Sequence, residues 1–382
     1  MNRKNKIYKY ILGVLLFLYI GVIVFFNTIT PDVVFSESEN RRLEQKPDFS
    51  IEALLQGKFT TNYEKYIADQ FAFRDFWIGV KSSCERILGK RENNDVYLGD
   101  DGYLIQKFSK PDDEGFDKKI AAINSFANTT SNVNKYLMLV PNSIKVLEDK
   151  LPNNAPTDDE LIYIDRVKKS LNDNIKFVDI YDTLYSKKDE YIFYKTDHHW
   201  TTKGAYYAYQ KLSKDMQYTP HEKSYFDINE ITDSFYGSLY SKSGFRNIQP
   251  DSIELYIPKS DENYVLEYYD ENRVSESIYD MESLNKKDKY TVFFGGNHSL
   301  IKISTNIDGD KKLLLVKDSY ANSMIPFLVA HFSEIYIVDL RYYDDSLNQL
   351  IENNDIDNVL ILYNVISFFE DPSVVDITQE EK

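Results

Sequence analysis

Short apolar runs alternate with segments of helical periodicity along much of the chain, and this alternation limits the possible folds more than any other feature. Apolar side chains recur at helical spacing in segments such as residues 158–171. The strand-like runs occupy residues 135–140, 176–180, 312–316, 335–340 and 358–363. Such alternation is typical of an α/β fold with a mainly parallel sheet. The sequence therefore predicts an α/β core of this kind.

Three segments lie outside this alternation. Residues 220–290 are acidic and Tyr-rich, with short alternating runs such as residues 253–257, and they predict an inserted β-rich lobe. Residues 51–88 have helical spacing, which predicts two helices that cap the main domain. Residues 96–105 predict a hairpin, because Asp101-Gly102 supplies the positive φ angles of a tight turn between two apolar strands.

The N-terminal segment is apolar enough to cross a membrane. Residues 7–26 carry no charge except Lys9, and basic residues precede them. A run of about 20 such residues spans a bilayer as a helix, and flanking positive charges are retained in the cytoplasm. Because no cleavage site of small residues follows, we expect residues 1–30 to be an uncleaved anchor rather than a signal peptide. Residues 31–50 are then a juxtamembrane linker, and residues 51–382 an extracytoplasmic domain.

Composition restricts the partners of this domain. The net charge is −16, and no basic stripe follows the first few residues, so nucleic acid is not an expected partner. The single cysteine, Cys84, excludes an intramolecular disulfide and is expected to be a small core residue. The many tyrosines suit a cleft that stacks on sugar rings, although a Tyr-rich background composition explains them as well.

The motif Asp197-His198-His199-Trp200 is the clearest candidate for chemistry. An Asp two positions before a His can hold the imidazole in one tautomer and stabilise its charged form, as a general base for a serine hydroxyl requires. Thr201 is the expected N-cap of a following helix that extends to Met216.

Ser319 is the candidate nucleophile. It follows a buried strand, residues 312–316, at a strand-to-helix junction where apolar helical spacing resumes. Open α/β folds place their sites at the carboxyl ends of strands, and helix N-terminal amides can stabilise an oxyanion there. The alternative interpretation of Asp318-Ser319 is a simple helix N-cap.

Through these residues, the chain resembles the DHHW family and is similar to alginate O-acetylation proteins that have an SGNH-hydrolase-like domain. The matching stretches are residues 39–43, 71–75, 99–104, 197–200, 317–320 and 338–342. The resemblance implies an SGNH-hydrolase-like, flavodoxin-like core, with Ser319 as nucleophile, His199 as base and Asp197 as the residue that orients the base. The Asp-x-His element precedes the serine here, whereas ordinary SGNH hydrolases have the opposite order, and Lys317 replaces their glycine before Asp-Ser.

Other residues are candidates for binding the oxyanion or the substrate. Gly296 and Asn297 could supply a backbone amide and a side-chain donor, although an ordinary turn is equally compatible with Gly295-Gly296. Asn364 is a second candidate for the oxyanion donor. The remaining substrate candidates are His198, Trp200, which could instead pack beneath the site, and Arg341.

Three functions are compatible with these features. The first is an O-acetyltransferase or acetylesterase that acts on a cell-envelope or exported polysaccharide, without a cofactor. A membrane acyltransferase is then the partner that the resemblance implies as the source of acetyl groups. The second is a non-catalytic polysaccharide-binding or scaffold protein. The third, a metal-dependent phosphoesterase, is disfavoured because no HxH, DxD or HExxH accompanies the two histidines.

Overall fold

The computed structural model describes residues 3–36, 38–39, 41–130, 132–259 and 263–379. Two compact units divide the chain. The first contains the residues up to Lys90 together with Gly244–Arg246, and the second contains Arg91–Ser243 and the residues from Asn247 onward. The expected boundaries at residues 30 and 50 stay predictions.

The first unit begins with a long helix, α1 (Arg3–Ile29). Its segment Ile7–Ile29 has a mean hydropathy of 2.4, and none of its most apolar window is buried within the protein. This helix is long and apolar enough to cross a membrane, and it is either a membrane anchor or a signal sequence. The first unit continues with β1 (Phe35–Ser36), β2 (Arg41–Arg42), α2 (Ile51–Leu55), α3 (Lys58–Asp69) and α4 (Arg74–Ile87).

An ion pair organises the polar segment that follows α1. The guanidinium of Arg41 donates to both carboxylate oxygens of Asp69, at 2.8 and 2.6 Å. The hydrogen bond from Arg41 lowers the pKa of Asp69 below its ordinary value. Because β1 and β2 also pair, the segment predicted to be a juxtamembrane linker contains local structure.

The prediction that Cys84 is a small core residue is wrong. Cys84 lies on α4 with its side chain exposed, not in a core. The amphipathic spacing of this short helix did not show which face the sulfur would occupy.

Among the described residues, eight strands form the main sheet of the second unit, in the order β11-β10-β12-β14-β13-β15-β6-β7. The five strands β14, β13, β15, β6 and β7 are parallel to one another. The other three, β12, β10 and β11, are each antiparallel to their neighbours. The fold is thus α/β with a mixed, largely parallel sheet. The strands are β6 (Asn134–Val140), β7 (Ile175–Phe177), β10 (Tyr264–Tyr268), β11 (Arg273–Ser275), β12 (Leu300–Thr305), β13 (Lys312–Lys317), β14 (Glu334–Val338) and β15 (Asn358–Asn364).

The parallel strands have a cyclically permuted order. Counted from the start of the chain, the five strands β6, β7, β13, β14 and β15 lie in the order 2-1-5-3-4. Counted from β13, the same sheet reads 2-1-3-4-5, which is the flavodoxin order. In the sequence, β13, which leads to Ser319, comes after the Asp197 motif.

Burial of the central strands supplies the core. Leu313, Leu314, Leu315 and Val316 of β13 are fully buried, as are most apolar residues of β15. Side chains on both faces of these strands leave water, which is the main favourable contribution to folding. The helices of this unit are α5 (Asp113–Thr129), α6 (Ser143–Val146), α7 (Glu160–Ser170), α8 (Tyr181–Tyr185), α9 (Thr202–Met216), α10 (Ser238–Ser243), α11 (Ile325–Leu328), α12 (Leu347–Asn354) and α13 (Val365–Glu370).

The smaller strands clarify the expected hairpin and lobe. The predicted hairpin is present as β4 (Val96–Leu98) and β5 (Leu104–Gln106), with β3 (Glu92–Asn93) beside it. The segment predicted as a separate lobe is rich in strands, but only β8 (Phe226–Phe235) and β9 (Asp251–Pro258) form their own sheet. Strands β10 and β11 instead extend the main sheet.

Candidate active site

A tight loop presents the Asp197 motif. Phe193 and Trp200 form an isolated antiparallel bridge, and Tyr194 N donates to the carbonyl of His199 at 3.2 Å. Immediately after the loop, the Thr201 hydroxyl accepts from Gly204 N and begins α9, as predicted. Both ends of the motif are therefore fixed by backbone structure.

Asp251, at the start of β9, holds the preceding residues in place. Its carboxylate accepts from Lys195 N and Thr196 N, both at 2.7 Å, and from the hydroxyls of Thr196 and Tyr191, both at 2.5 Å. Burial raises the pKa of Asp251, while these donors oppose the shift by stabilising its charged form. This inserted hairpin thus orients the loop, a role that the sequence did not indicate.

Asp197, His199 and Ser319 form a continuous hydrogen-bonded chain. His199 Nδ1 lies 2.5 Å from Asp197 Oδ1, and His199 Nε2 lies 2.7 Å from Ser319 Oγ. Burial alone would raise the pKa of Asp197, but the two neighbouring imidazoles and the donated hydrogen bonds hold it well below its ordinary value. The carboxylate stays ionised, and the Nδ1 proton leaves Nε2 free to accept from the serine.

Gly237 and Ser238 close the other side of Asp197. Ser238 N donates to Asp197 Oδ2 at 2.7 Å. A side chain at Gly237 would collide with the Asp197 carboxylate and its Cβ. The loop before α10 therefore requires glycine for its close approach to the acid.

Ser319 lies just beyond the carboxyl end of β13, at the start of a 3₁₀ turn over Ser319–Ser323. Asp318 caps this turn by accepting from Tyr320 N at 2.9 Å. Burial raises the pKa of Asp318 to about 6, although donors from Asn364 and Tyr320 oppose the shift. The short helix α11 follows this turn. The 3₁₀ turn and α11 together take the place of the single longer helix that the sequence predicts.

Aromatic rings support the serine turn from two sides. Trp200 is fully buried and donates from Nε1 to the Tyr320 carbonyl at 2.8 Å, so it packs beneath the site and is not exposed for a sugar. Tyr320 OH donates in turn to the His198 carbonyl. On the other side, Tyr290 OH donates to the Ser319 carbonyl at 3.0 Å. No motif in the sequence indicates this role of Tyr290.

The candidate oxyanion donors differ in availability. Gly296 N donates to the Phe293 carbonyl within a turn, so this amide is already used. Asn364 is also engaged, because its Nδ2 donates to Asp318 and to Ser367. Asn297, however, contacts the last residue of β13, the strand that leads to Ser319. Its Oδ1 accepts from Lys317 Nζ at 2.9 Å.

Arg341 belongs to an ion cluster that includes Lys317. The Arg341 guanidinium contacts both oxygens of Asp339, at 2.8 and 2.6 Å, and Lys317 Nζ lies 3.6 Å from the same carboxylate. Burial lowers the pKa of Lys317, while Asp339 opposes the shift. Arg341 is about one third exposed, so it remains accessible to a substrate.

Asp197, His198 and His199 offer potential metal-ligand atoms within 4.8 Å of one another. Each already has a hydrogen-bond partner: Asp197 and Ser319 hold His199, and Ser238 lies 2.7 Å from His198 Nδ1. A metal ion held by all three residues would have to displace the bonds of Asp197 and His199, so the donor set fits proton transfer better than metal binding.

The fold and this geometry define a class: an α/β protein with an Asp-His-Ser hydrogen-bonded set at the carboxyl edge of its sheet. The family model described as DHHW protein matches residues 93–338. The chain therefore belongs to the DHHW family.

Two solved structures share the fold, and a third is more distantly similar. A DHHW family protein from Eubacterium siraeum is 27% identical with a TM-score of 0.66, over 76% of this chain and 98% of that chain. Bacillus cereus PatB1, solved with a sulfonyl adduct, is 21% identical with a TM-score of 0.63, over 74% and 98% of the two chains. The O-acetyltransferase domain of Pseudomonas putida AlgJ is 16% identical with a TM-score of 0.46, over 74% and 98%. No curated protein sequence matches the chain significantly.

Proposed function

We propose that this protein is a serine-dependent acyl-transfer enzyme, an O-acetyltransferase or acetylesterase that acts on a cell-envelope or exported polysaccharide. The observation that carries the proposal is the hydrogen-bonded chain from Asp197 through His199 to Ser319 Oγ, with distances of 2.5 and 2.7 Å. A nucleophile, a base and a group that orients the base are the parts that covalent acyl transfer requires.

In the first half-reaction, Ser319 Oγ attacks the carbonyl carbon of an acetyl ester while its proton passes to His199 Nε2. The ester C–O bond then breaks, and His199 returns the proton to the leaving oxygen. The products are acetyl-Ser319 and the free donor alcohol. Asp197 stabilises the imidazolium between these two transfers because its buried carboxylate is ionised.

In the second half-reaction, a hydroxyl group of the acceptor gives its proton to His199 Nε2 and attacks the acetyl carbonyl. The bond to Ser319 Oγ breaks, and the serine regains a proton from His199. A sugar hydroxyl yields an acetylated glycan, whereas water yields acetate. The same residues serve both outcomes, so recognition of the acceptor decides between transfer and hydrolysis.

Asn297 is the donor best placed to stabilise the oxyanion. Since Lys317 Nζ can only donate, the atom that faces it must be Oδ1, and Nδ2 of Asn297 therefore points the other way. Among the described residues, this Nδ2 has no hydrogen-bond partner. Asn322, which lies in the same 3₁₀ turn as Ser319, also donates to Asn297 Oδ1, at 3.3 Å, so the side chain of Asn297 is held against the turn that bears the nucleophile. Lys317, which replaces a glycine of ordinary SGNH enzymes, is thus a positioning residue.

The finer fold assignment is SGNH-hydrolase-like. The permuted 2-1-3-4-5 strand order supports it, because permutation places the Asp-x-His element before the serine while keeping both at one edge of the sheet. The likeness in fold to PatB1 also supports it.

We further propose that α1 is retained as a membrane anchor, with the catalytic domain outside the cytoplasm. Within the first unit, Asn27 Oδ1 accepts from Ala72 N at 2.9 Å, and the ring of Phe26 packs edge-on against Phe73, with centroids 5.2 Å apart. Cleavage after α1 would break both contacts and leave the amide of Ala72 without this acceptor. A separate membrane acyltransferase would then supply acetyl groups from inside the cell.

The test is acylation of the full-length chain in detergent with p-nitrophenyl acetate. We expect a stoichiometric burst of nitrophenolate, and an acetyl group on the peptide that contains Ser319. Ser319→Ala should remove both, whereas Ser186→Ala, at an exposed serine outside the site, should retain both. A burst that survives Ser319→Ala would contradict the proposal, and a chain that binds glycan without any burst would favour the scaffold function. A burst abolished by a chelator and restored by a divalent metal would favour metal-dependent chemistry.

A further inference from the structure

His198 is directly beside the proposed base but takes no part in the Asp197-His199-Ser319 chain. Its ring centroid lies 3.8 Å from that of His199. Its side chain is 29% exposed, against 6% for His199, so one edge of the His198 ring is accessible from solvent. A neutral histidine at this position could contact a substrate.

The surroundings of His198 determine its tautomer. Nδ1 lies 2.7 Å from Ser238 Oγ and 3.6 Å from Asp197 Oδ1. Because an ionised carboxylate only accepts, a proton on Nδ1 is favoured, and the Ser238 hydroxyl then accepts from it. In this tautomer the lone pair is on Nε2, which has no hydrogen-bond partner within the part of the chain that the structure describes.

His198 is also neutral at ordinary pH. Burial and the neighbouring His199 lower the pKa of His198 to about 3, and the positive charges of Lys242 and Arg341 act in the same direction. Asp197 opposes the shift but does not outweigh it. The exposed nitrogen is thus a hydrogen-bond acceptor that does not compete with His199 for the transferred proton.

We propose that His198 Nε2 accepts a hydrogen bond from a second hydroxyl group of the acyl acceptor, next to the one that attacks. This specificity role rests on the proposed acyl transfer. The two imidazole ring centroids are 3.8 Å apart, close enough for neighbouring hydroxyl groups of one sugar or other polyol to reach one ring each. With one hydroxyl on each imidazole, a vicinal diol is held for attack, whereas water or a simple alcohol makes only the bond to His199. His198 therefore favours transfer to polyhydroxylated acceptors over hydrolysis.

The experiment compares two small acceptors, 1,2-propanediol and 1-propanol, which differ by one adjacent hydroxyl group. Full-length protein in detergent is acetylated with p-nitrophenyl acetate, and the ester products and acetate are quantified. The wild-type protein should transfer to the diol roughly three- to tenfold better than to the simple alcohol, as expected for one hydrogen bond. His198→Phe should remove this preference, which is measured as the ratio of the two ester products formed from the same acetyl-Ser319 and therefore does not depend on the rate of acylation.

Two further variants complete the design. His198→Gln, whose side-chain oxygen can still accept, should restore part of the preference for the diol. His221→Phe is the matched control, since His221 stacks on Tyr225 rather than on His199, and it should retain the full preference.

Either of two results would overturn the inference: equal transfer to both alcohols by the wild type, or an unchanged preference in His198→Phe. Failure of the proposed function itself would appear differently, as the absence of any Ser319-dependent burst.

Discussion

The ring of Tyr290 lies almost parallel to the imidazole of His199, with centroids 3.8 Å apart and planes 13° from each other. The same tyrosine donates from its hydroxyl to the Ser319 carbonyl at 3.0 Å, and Ser323 Oγ lies 3.3 Å from that hydroxyl oxygen. One side chain therefore supports both the base and the turn that bears the nucleophile.

Two substitutions should separate these contributions of Tyr290. Tyr290→Phe keeps the ring but loses the hydrogen bonds to the serine turn, so we expect Ser319 acylation to slow by roughly tenfold or less. Tyr290→Leu also removes the parallel ring and should slow acylation by roughly a further tenfold, because His199 gains freedom to leave its position. Burst kinetics with p-nitrophenyl acetate measure both rates. Equal rates for the two variants would show that the ring contributes nothing beyond the hydroxyl.

Asp197→Asn should inactivate the protein far more than it destabilises it. An amide cannot stabilise the imidazolium and can favour the wrong tautomer of His199, so acylation should fall by roughly 10⁴-fold, as in serine protease triads. Asp288→Asn is a control, because that exposed carboxylate also interacts electrostatically with Asp197 and His199 but is not hydrogen-bonded to His199 in the described structure. We expect less than about a tenfold change for the control. Similar losses in both variants would indicate a general electrostatic effect instead.

Glu160 should make stability depend on pH. Its side chain is completely buried, and although Oε2 accepts from Asn142 N, Oε1 has no partner in the described structure. Burial raises the pKa of Glu160 from 4.5 to about 8. A carboxyl group with a raised folded pKa binds more protons in the folded chain, so its contribution to stability falls as pH rises from about 4.5 to about 8 and is level above that.

Glu160→Gln should remove this dependence. The variant is expected to match the wild type near pH 4.5 and to exceed it at pH 8, by on the order of 1–3 kcal/mol in the free energy of unfolding. Urea unfolding at several pH values measures the difference. Glu114→Gln, at a carboxylate that is 78% exposed, should show little change at any pH. A Glu160→Gln curve parallel to that of the wild type would contradict the prediction.

Cys84 should be modified in the native protein. Because its side chain is exposed on α4, a maleimide reagent should label one site per chain without denaturant. Acylation of Ser319 should be unaffected, and Cys84→Ser should abolish labelling. Labelling that requires unfolding would show that the sulfur is covered in the intact protein.

Much of the sheet could be predicted because its strands are apolar on both faces. The runs that end at Val140, Val316 and Tyr363 correspond to β6, β13 and β15 within one or two residues, and Thr201 caps α9 as expected. Periodicity and capping chemistry are local properties, and the sequence shows them directly.

The supporting contacts of the site could not be predicted in the same way. Asp251 and Tyr290 come from the region that interrupts the α/β alternation, and their roles depend on tertiary contacts with a distant loop. The Gly295-Gly296 pair shows a related difficulty. Both residues have positive φ, at 82° and 130°, but the Gly296 amide serves its own turn, and a glycine pair in sequence does not reveal which group its amides will face.

The position of β15 has a consequence for how the protein matures. This strand comes last in the chain, yet it lies between β13 and β6 in the middle of the sheet. The halves that carry His199 and Ser319 therefore cannot be joined edge to edge until the segment Asn358–Asn364 has been synthesised and inserted between them. The reactive centre therefore depends on pairing that spans the chain, and its assembly is expected among the last steps of folding.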